Sequence, residues 1–432
     1  MTELIVPLNS TEACDAGRFG PKAANQAILA RAGLPIPDGF CIDAEAYRRQ
    51  VTALGLRDSA RGAFTAATEG EMRRCALNMK LGLLDKPVIP EILEPLLEAR
   101  RALIERTGAL MCVRSSALVE DRYGSSFAGQ FESFIGIESE EDFVTAVKSC
   151  WGALWATRAL RYMATHDIDP SETAMSVLVQ PLISAKVSGG GLSQMADGGM
   201  LLSATWGLGS AIAQGEVTPD RYVLSPEFEI REVVAGRKDH TVGCHHHHKA
   251  EPRTLITPKA MMSKPCLTTP QVLELARLLK RVSEVMGMAV EIEWAMDDKG
   301  IKLVQGRPLH MEGAHEPDPV WMRHPRLTGH PAGIGWTEGV ARVVSCECEL
   351  ERVGPGDILI TKVAGPALGA ILGRVAGVVA ERGGSTSHLA SLARERGIPM
   401  VLGVHEATER IPDGVRVSVD GVAGVVRWMQ GA

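Results

Sequence analysis

A histidine, His388, stands inside ERGGSTSHLASLARERGIPM, residues 381–400. A strand-like run, VAGVVA, leads into Gly383-Gly384, then Ser385, Thr386 and Ser387, and a helix is expected to start near Ser387. Serine or threonine at a helix start caps its free N–H groups. Those groups and the helix dipole favour an anion. An imidazole in that first turn therefore lies beside a ready-made phosphate site, where it can act as a nucleophile toward phosphorus. Taken alone, the same pattern also describes a satisfied surface histidine.

A second chemical pattern is VEIEW followed by KLVQGRP. Alternate residues of a strand share a face, so Glu291 and Glu293 project together, about 6–7 Å apart. Gln305 and Arg307 share a face of the following strand in the same way. Two carboxylates suit Mg²⁺ shared with phosphate oxygens, and arginine suits the charge on a phosphoryl group in transfer. A solvated hairpin face has the same alternation. The third pattern is VRSSALVEDRYGSSFAGQF, where a strand ends in Arg114 and a Ser/Gly-rich loop follows. Backbone N–H groups of such a loop can wrap phosphates. A second cation, Lys22, lies in another Gly-containing segment, GRFGPK, read as a turn.

These residues need a scaffold of some size, and 432 residues supply two or three domains. Helical spacing covers 22–32, 90–106, 141–163 and 270–287; strand-like runs cover 110–114, 175–180, 200–205, 289–296 and 301–307. The mixture reads as α+β. The stretch EGAHEPDPVWMRHPRLTGHP holds four prolines and three histidines and reads as a connection. After it, short strands at 339–344, 357–361, 376–380, 400–402 and 415–419 surround the helix near Ser387, as in a small α/β domain. The domains expected are thus 1–312, a linker at 313–331, and 332–432.

Composition narrows the partners. A net charge of −6 gives no basic footprint for nucleic acid. No apolar run approaches the ~18 residues of a membrane helix, and MTELIVPLNS does not read as a signal peptide. The nine cysteines read as reduced thiols of a cytoplasmic protein, with Cys346 and Cys348 on one face of a strand. The run from His245 to His248, after Cys244, reads as a surface loop, with metal or anion binding as the alternative.

Taken together, the motifs resemble a known family over almost the whole chain. GPKAANQAILARAGLPIPDGF, VRSSALVEDRYGSSFAGQFESFIGI, VLVQPLIS, WGLGSAIAQGEVTPDRYVL and VEIEWAMDDKGIKLVQGRPL are similar to the ATP-binding domain of phosphoenolpyruvate synthase, pyruvate phosphate dikinase and rifampin phosphotransferase. PGDILITK, GGSTSHLASLARERGIPMVLG and VDGVAGVV resemble the mobile phosphohistidine domain of those enzymes. The resemblance implies an ATP-grasp N-terminal domain followed by a swivelling histidine domain. It implies that Lys22 and Arg114 hold the phosphates of ATP, that Gly124, Ser125, Ser126 and Gly129 cover them, and that Gln180 lies at the nucleotide-binding hinge. It implies that Glu291 and Glu293 take Mg²⁺, that Gln305 and Arg307 flank the transferring group, and that His388 is phosphorylated while ATP becomes AMP.

Departures from the family shape the expected acceptor. The chain ends at Ala432, just past the histidine domain, and only a short linker stands where rifampin phosphotransferase carries its drug-binding domain. Ser210 follows WGLG where the family usually has an acidic residue. The expectation is therefore a dikinase-type phosphotransferase acting on a small hydroxylated metabolite, with a role in secondary metabolism. The alternative is the ATP-binding and phosphohistidine subunit of a synthase whose acceptor site is on a separate subunit. A regulatory protein with a decayed kinase site is the rival from another class.

Overall fold

Asp15 starts the first long helix, Ala16–Arg31, by accepting a hydrogen bond from Gly17 N at 2.8 Å. GRFGPK joins two helical pieces through a kink at Gly20, where φ is 73°. That left-handed conformation is open to glycine without strain, and a Cβ at Gly20 would lie 2.4 Å from Ser116 Oγ. The break accommodates Pro21 and packs the helix tightly on the strand Met111–Ala117, which carries Arg114 and runs three residues beyond it.

The computed structural model describes residues 3–120, 131, 133–165, 168–195, 197–244, 252–309 and 319–429. They form two units, Met1–Ser184 with Cys244–Arg253 and Lys302–Arg307, and Ala185–Gly243 with Thr254–Ile301 and Pro308–Ala432. No helix among the described residues is long and apolar enough to cross a membrane.

The first unit holds an antiparallel sheet in the order Ile5–Pro7, Phe40–Ile42, Met175–Pro181, Met111–Ala117, Ser133–Ile137. Helices cover it, and Phe143, Trp151, Leu103, Met79 and Val177 lie fully enclosed in its core. The helical run expected over 141–163 is two helices, Glu140–Ala153 and Thr157–Thr165. Between them Trp155 is buried, and its Nε1 donates to Tyr47 Oη at 2.9 Å, which holds the chain in a tight turn.

The second unit contains two large sheets and most of a two-stranded ribbon, His240–Cys244 with Pro252–Ile256. One runs antiparallel through Val290–Asp297, Val187–Leu192, Met200–Trp206, Asp220–Leu224 and Ile230–Val234. The strand that follows, Gly300–Pro308, divides between units: Lys302–Arg307 belong with the first. The other sheet has Trp336–Val344, Ile358–Val363, Gly377–Arg382 and Met400–Leu402 parallel at its centre. Helix His388–Glu395 crosses from the third of these strands to the fourth. Within the stretch expected as linker, Arg326–Thr328 and His330–Pro331 are the two end strands of this sheet; residues 310–318 lie outside the described ones.

Two sequence readings meet the structure differently. Cys346 and Cys348 do not share the face of a strand. The strand ends at Val344, the chain turns into the 3-10 helix Glu347–Arg352, and the two cysteines are joined as a disulfide. The turn brings their Cα atoms to 5.4 Å, within bridging range. The His245–His248 run lies outside the described residues.

Candidate active site

In the first unit three elements bring polar groups together. The broken helix carries Lys22, whose Nζ donates to Ser115 O at 2.9 Å and pairs with Glu120 at 3.2 Å. The central strand Met111–Ala117 carries Arg114. Its Nη2 donates to Gln305 Oε1 at 2.8 Å, and its Nη1 to Val304 O. The 302–307 segment is tied to the helix by Asn25 Nδ2, which donates to Gly306 O at 3.2 Å. Lys22, Arg114 and Gln305 are each half-buried, and Arg307 is buried. A guanidinium fixed between a carbonyl and an amide is a preorganised anion-binding group. Gln180 is buried on the neighbouring strand, opposite Cys112, and donates to Pro37 O at 3.1 Å. The loop residues Gly124, Ser125, Ser126 and Gly129 lie outside the described residues.

In the second unit the site grows from strand register. Glu293 faces Gly190 across the ladder, and Gly190 faces Ser203 on the next strand. Directly paired residues of an antiparallel ladder point to one side, so Glu291, Glu293, Gly190 and Ser203 share one face. On that face lies the loop that carries His388. Thr386 Oγ1 is 2.7 Å from Ser203 Oγ, and a Cβ on Gly190 would meet Thr386 Cβ at 2.6 Å. Beyond the histidine, Ser391 Oγ donates to the Glu291 carboxylate, 3.0 Å from each oxygen, and Arg394 Nη2 pairs with Glu291 Oε2 at 2.9 Å.

His388 is thus bracketed. The residue two before it touches Gly190, and the residues three and six after it touch Glu291. It is the first residue of its helix and is half-buried. Ser387, the N-cap, is fully buried and accepts from Ala390 N at 3.2 Å. His388 follows the parallel strand Gly377–Arg382 after a short loop and opens a helix, whose N-terminal N–H groups favour phosphate oxygens.

The two carboxylates differ in setting. Glu293 is half-buried, with acidic chemistry suited to a hard cation. Glu291 is buried, and its oxygens are taken up by Ser391 and Arg394. Both Glu291 oxygens already face hydrogen-bond donors, so Mg²⁺ at Glu291 would compete with Ser391 and Arg394.

Sequence reasoning did not single out Glu120, Ser203, Ser391 or Arg394. Ser391 and Arg394 stand three apart on the helix, a spacing that puts both on one face. That signal existed, but it could not name the carboxylate they meet. It also passed over Lys238 and Asp220, a pair with fully buried side chains on the sheet's other face. Asp220 further accepts from Gly236 N at 2.8 Å and from Cys266 N at 2.7 Å. Burial and the Asp220 charge push the Cys266 thiol pKa up.

Comparison with known proteins agrees with this architecture. Residues 16–324 match the family model of the pyruvate phosphate dikinase AMP/ATP-binding domain, and residues 353–424 match that of the PEP-utilising enzyme mobile domain. The chain is 31% identical to a phosphoenolpyruvate synthase of Aeropyrum pernix over 94% of its own length and 56% of that protein. It is 31% identical to a probable phosphoenolpyruvate synthase of Methanothermobacter thermautotrophicus over 95% of its own length and 61% of that protein. With the phosphoenolpyruvate synthase of Pyrococcus furiosus the figures are 30%, 95% and 57%. The α+β fold is of the ATP-grasp kind, and the chain belongs to the pyruvate phosphate dikinase and phosphoenolpyruvate synthase family. It spans little more than half the length of these relatives.

Proposed function

We propose that this chain is an ATP-dependent dikinase-type phosphotransferase in which His388 carries the phosphoryl group. One observation supports this reading above the others: the histidine's own loop and helix are seated on the sheet face that bears Glu291 and Glu293. In this reading Lys22 and Arg114 bind ATP phosphates, Gly124, Ser125, Ser126 and Gly129 cover them, and Gln180 lies at the nucleotide-binding hinge. Gln305 and Arg307 flank the transferring group.

The chemistry follows from the groups present. An imidazole nitrogen of His388 attacks the β-phosphorus of ATP. The bond from that phosphorus to the α,β-bridging oxygen breaks, AMP leaves, and the β,γ-pyrophosphoryl group stays on the ring. Attack of water on the γ-phosphorus then releases phosphate and leaves a phosphohistidine. The helix N-terminus meets negative charge on the oxygens of the histidine-bound phosphoryl group. Glu293 would hold Mg²⁺, which would supply neutralisation of phosphate charge when bound. The N–P bond is then open to attack by a hydroxyl of a small acceptor, bound by this chain or by a separate subunit. A role in secondary metabolism, and a cytoplasmic location, belong to the same proposal.

Nucleotide products test it. Incubation with ATP and Mg²⁺ is expected to yield AMP, with phosphate in step; formation of ADP without AMP would overturn the reading.

A further inference from the structure

Arg394 joins two elements through separate nitrogens. Its Nη1 donates to Ala332 O at 3.1 Å and to Ser385 O at 2.5 Å, which fixes it within the histidine domain. Its Nη2 donates to Ser391 Oγ at 3.1 Å and pairs with Glu291 Oε2 at 2.9 Å. The side chains are 5% and 6% exposed, so the pair is dry. A guanidinium aligned by its own domain is preorganised to capture a carboxylate, because its planar fork is already oriented.

Mg²⁺ requires near-octahedral oxygen ligands at about 2.0–2.1 Å. A cation that close to the Glu291 oxygens would press against the Arg394 charge. Seating of the histidine helix and metal ligation by Glu291 therefore compete, whereas Glu293, two residues along, is outside this pair. We infer that Glu291 and Arg394 are positioning residues. Their ion pair seats the His388 helix on the carboxylate face, and Glu291 serves docking rather than metal binding. The purpose of that docking rests on the phosphotransfer reading above; the contact itself does not.

The test uses the full chain and reads the helix after changing the strand. Hydrogen exchange of the amides in 386–395 is compared in wild type, Glu291→Gln, Glu291→Asp and Glu293→Gln. Loss of one partner from a buried pair is costly. In Glu291→Gln these amides are therefore expected to exchange at least about tenfold faster, with partial recovery in Glu291→Asp. A role confined to the strand of Glu291 would leave the exchange of that helix unchanged. In parallel, calorimetry with Mg²⁺ and a non-hydrolysable ATP analogue is expected to give Glu291→Gln an affinity within about twofold of wild type, and Glu293→Gln one at least about tenfold weaker. Unchanged exchange at 386–395 in Glu291→Gln would overturn the inference. So would a loss of Mg²⁺-nucleotide affinity in Glu291→Gln equal to that in Glu293→Gln. Failure of wild type to phosphorylate His388 would remove the phosphotransfer reading, while the exchange comparison would still decide the docking contact.

Discussion

Thr386 occupies the space above Gly190 that any larger residue there would fill: a Cβ at position 190 would stand 2.6 Å from the threonine Cβ. The histidine loop can approach the sheet only because the strand offers bare backbone at that point. Real Cβ atoms do not approach that closely, so Gly190→Val should hold the loop off the sheet. Phosphorylation of His388 should fall at least about tenfold while nucleotide affinity stays within about twofold. Quantifying AMP release beside nucleotide binding checks this, and normal turnover in Gly190→Val would contradict it.

Arg114→Lys tests the nucleotide side. The arginine spans Val304 O and Gln305 Oε1 with two different nitrogens. A lysine ammonium cannot hold both in the planar geometry. Affinity for ATP should weaken about tenfold with the fold intact, measured by titration calorimetry beside a melting curve.

The Lys238–Asp220 pair gives a stability prediction. Both side chains are fully buried, and Lys238→Met would leave the Asp220 carboxylate with backbone donors but without its cation. Removing one partner of a buried pair costs about 3–5 kcal/mol. Urea unfolding should show a loss of that order, and a change under 1 kcal/mol, roughly the median of surface pairs, would contradict the reading.

His330 sets a pH dependence. Burial, with the Arg221 charge adding to it, lowers its pKa to about 4. The folded form therefore holds the ring neutral, while the unfolded chain binds a proton near the ordinary value of about 6.5. Stability is undiminished above that value and is lost as pH falls from about 6.5 toward 4, by roughly 3 kcal/mol for this group. His330→Gln should flatten the melting temperature of the second unit across that window.

Much of this architecture was legible in the sequence because apolar spacing reports it directly. Met175–Pro181 and Met200–Trp206 carry runs whose burial is nearly continuous. The intervening strand, Val187–Leu192, was not legible, because three successive glycines argue against a strand. The reason is tertiary: added Cβ atoms there would meet Ser203 O, Thr386 and Leu202. The helices Arg57–Thr65 and Glu69–Asp85 were missed for a related reason. They bury few residues, only Ala60 and Ala63 in the first and Ala76, Met79 and Leu83 in the second, so their apolar stripe is faint.

The site divided in the same way. His388, Lys22 and Arg114 stand in Gly- and Ser-rich contexts that signal phosphate chemistry. Arg394 and Ser391 look in sequence like the polar side of an ordinary amphipathic helix. Only the fold, by bringing a strand a hundred residues earlier against that helix, turns them into partners of Glu291.

The most direct measurement follows the label. The chain is incubated with Mg²⁺ and ATP radiolabelled at the β-phosphate, and wild type is compared with His388→Asn. Wild type should acquire acid-labile, base-stable label in the peptide spanning His388 and release AMP, and His388→Asn should do neither. Equal label in His388→Asn, or a label that maps to any other residue, would contradict the assignment.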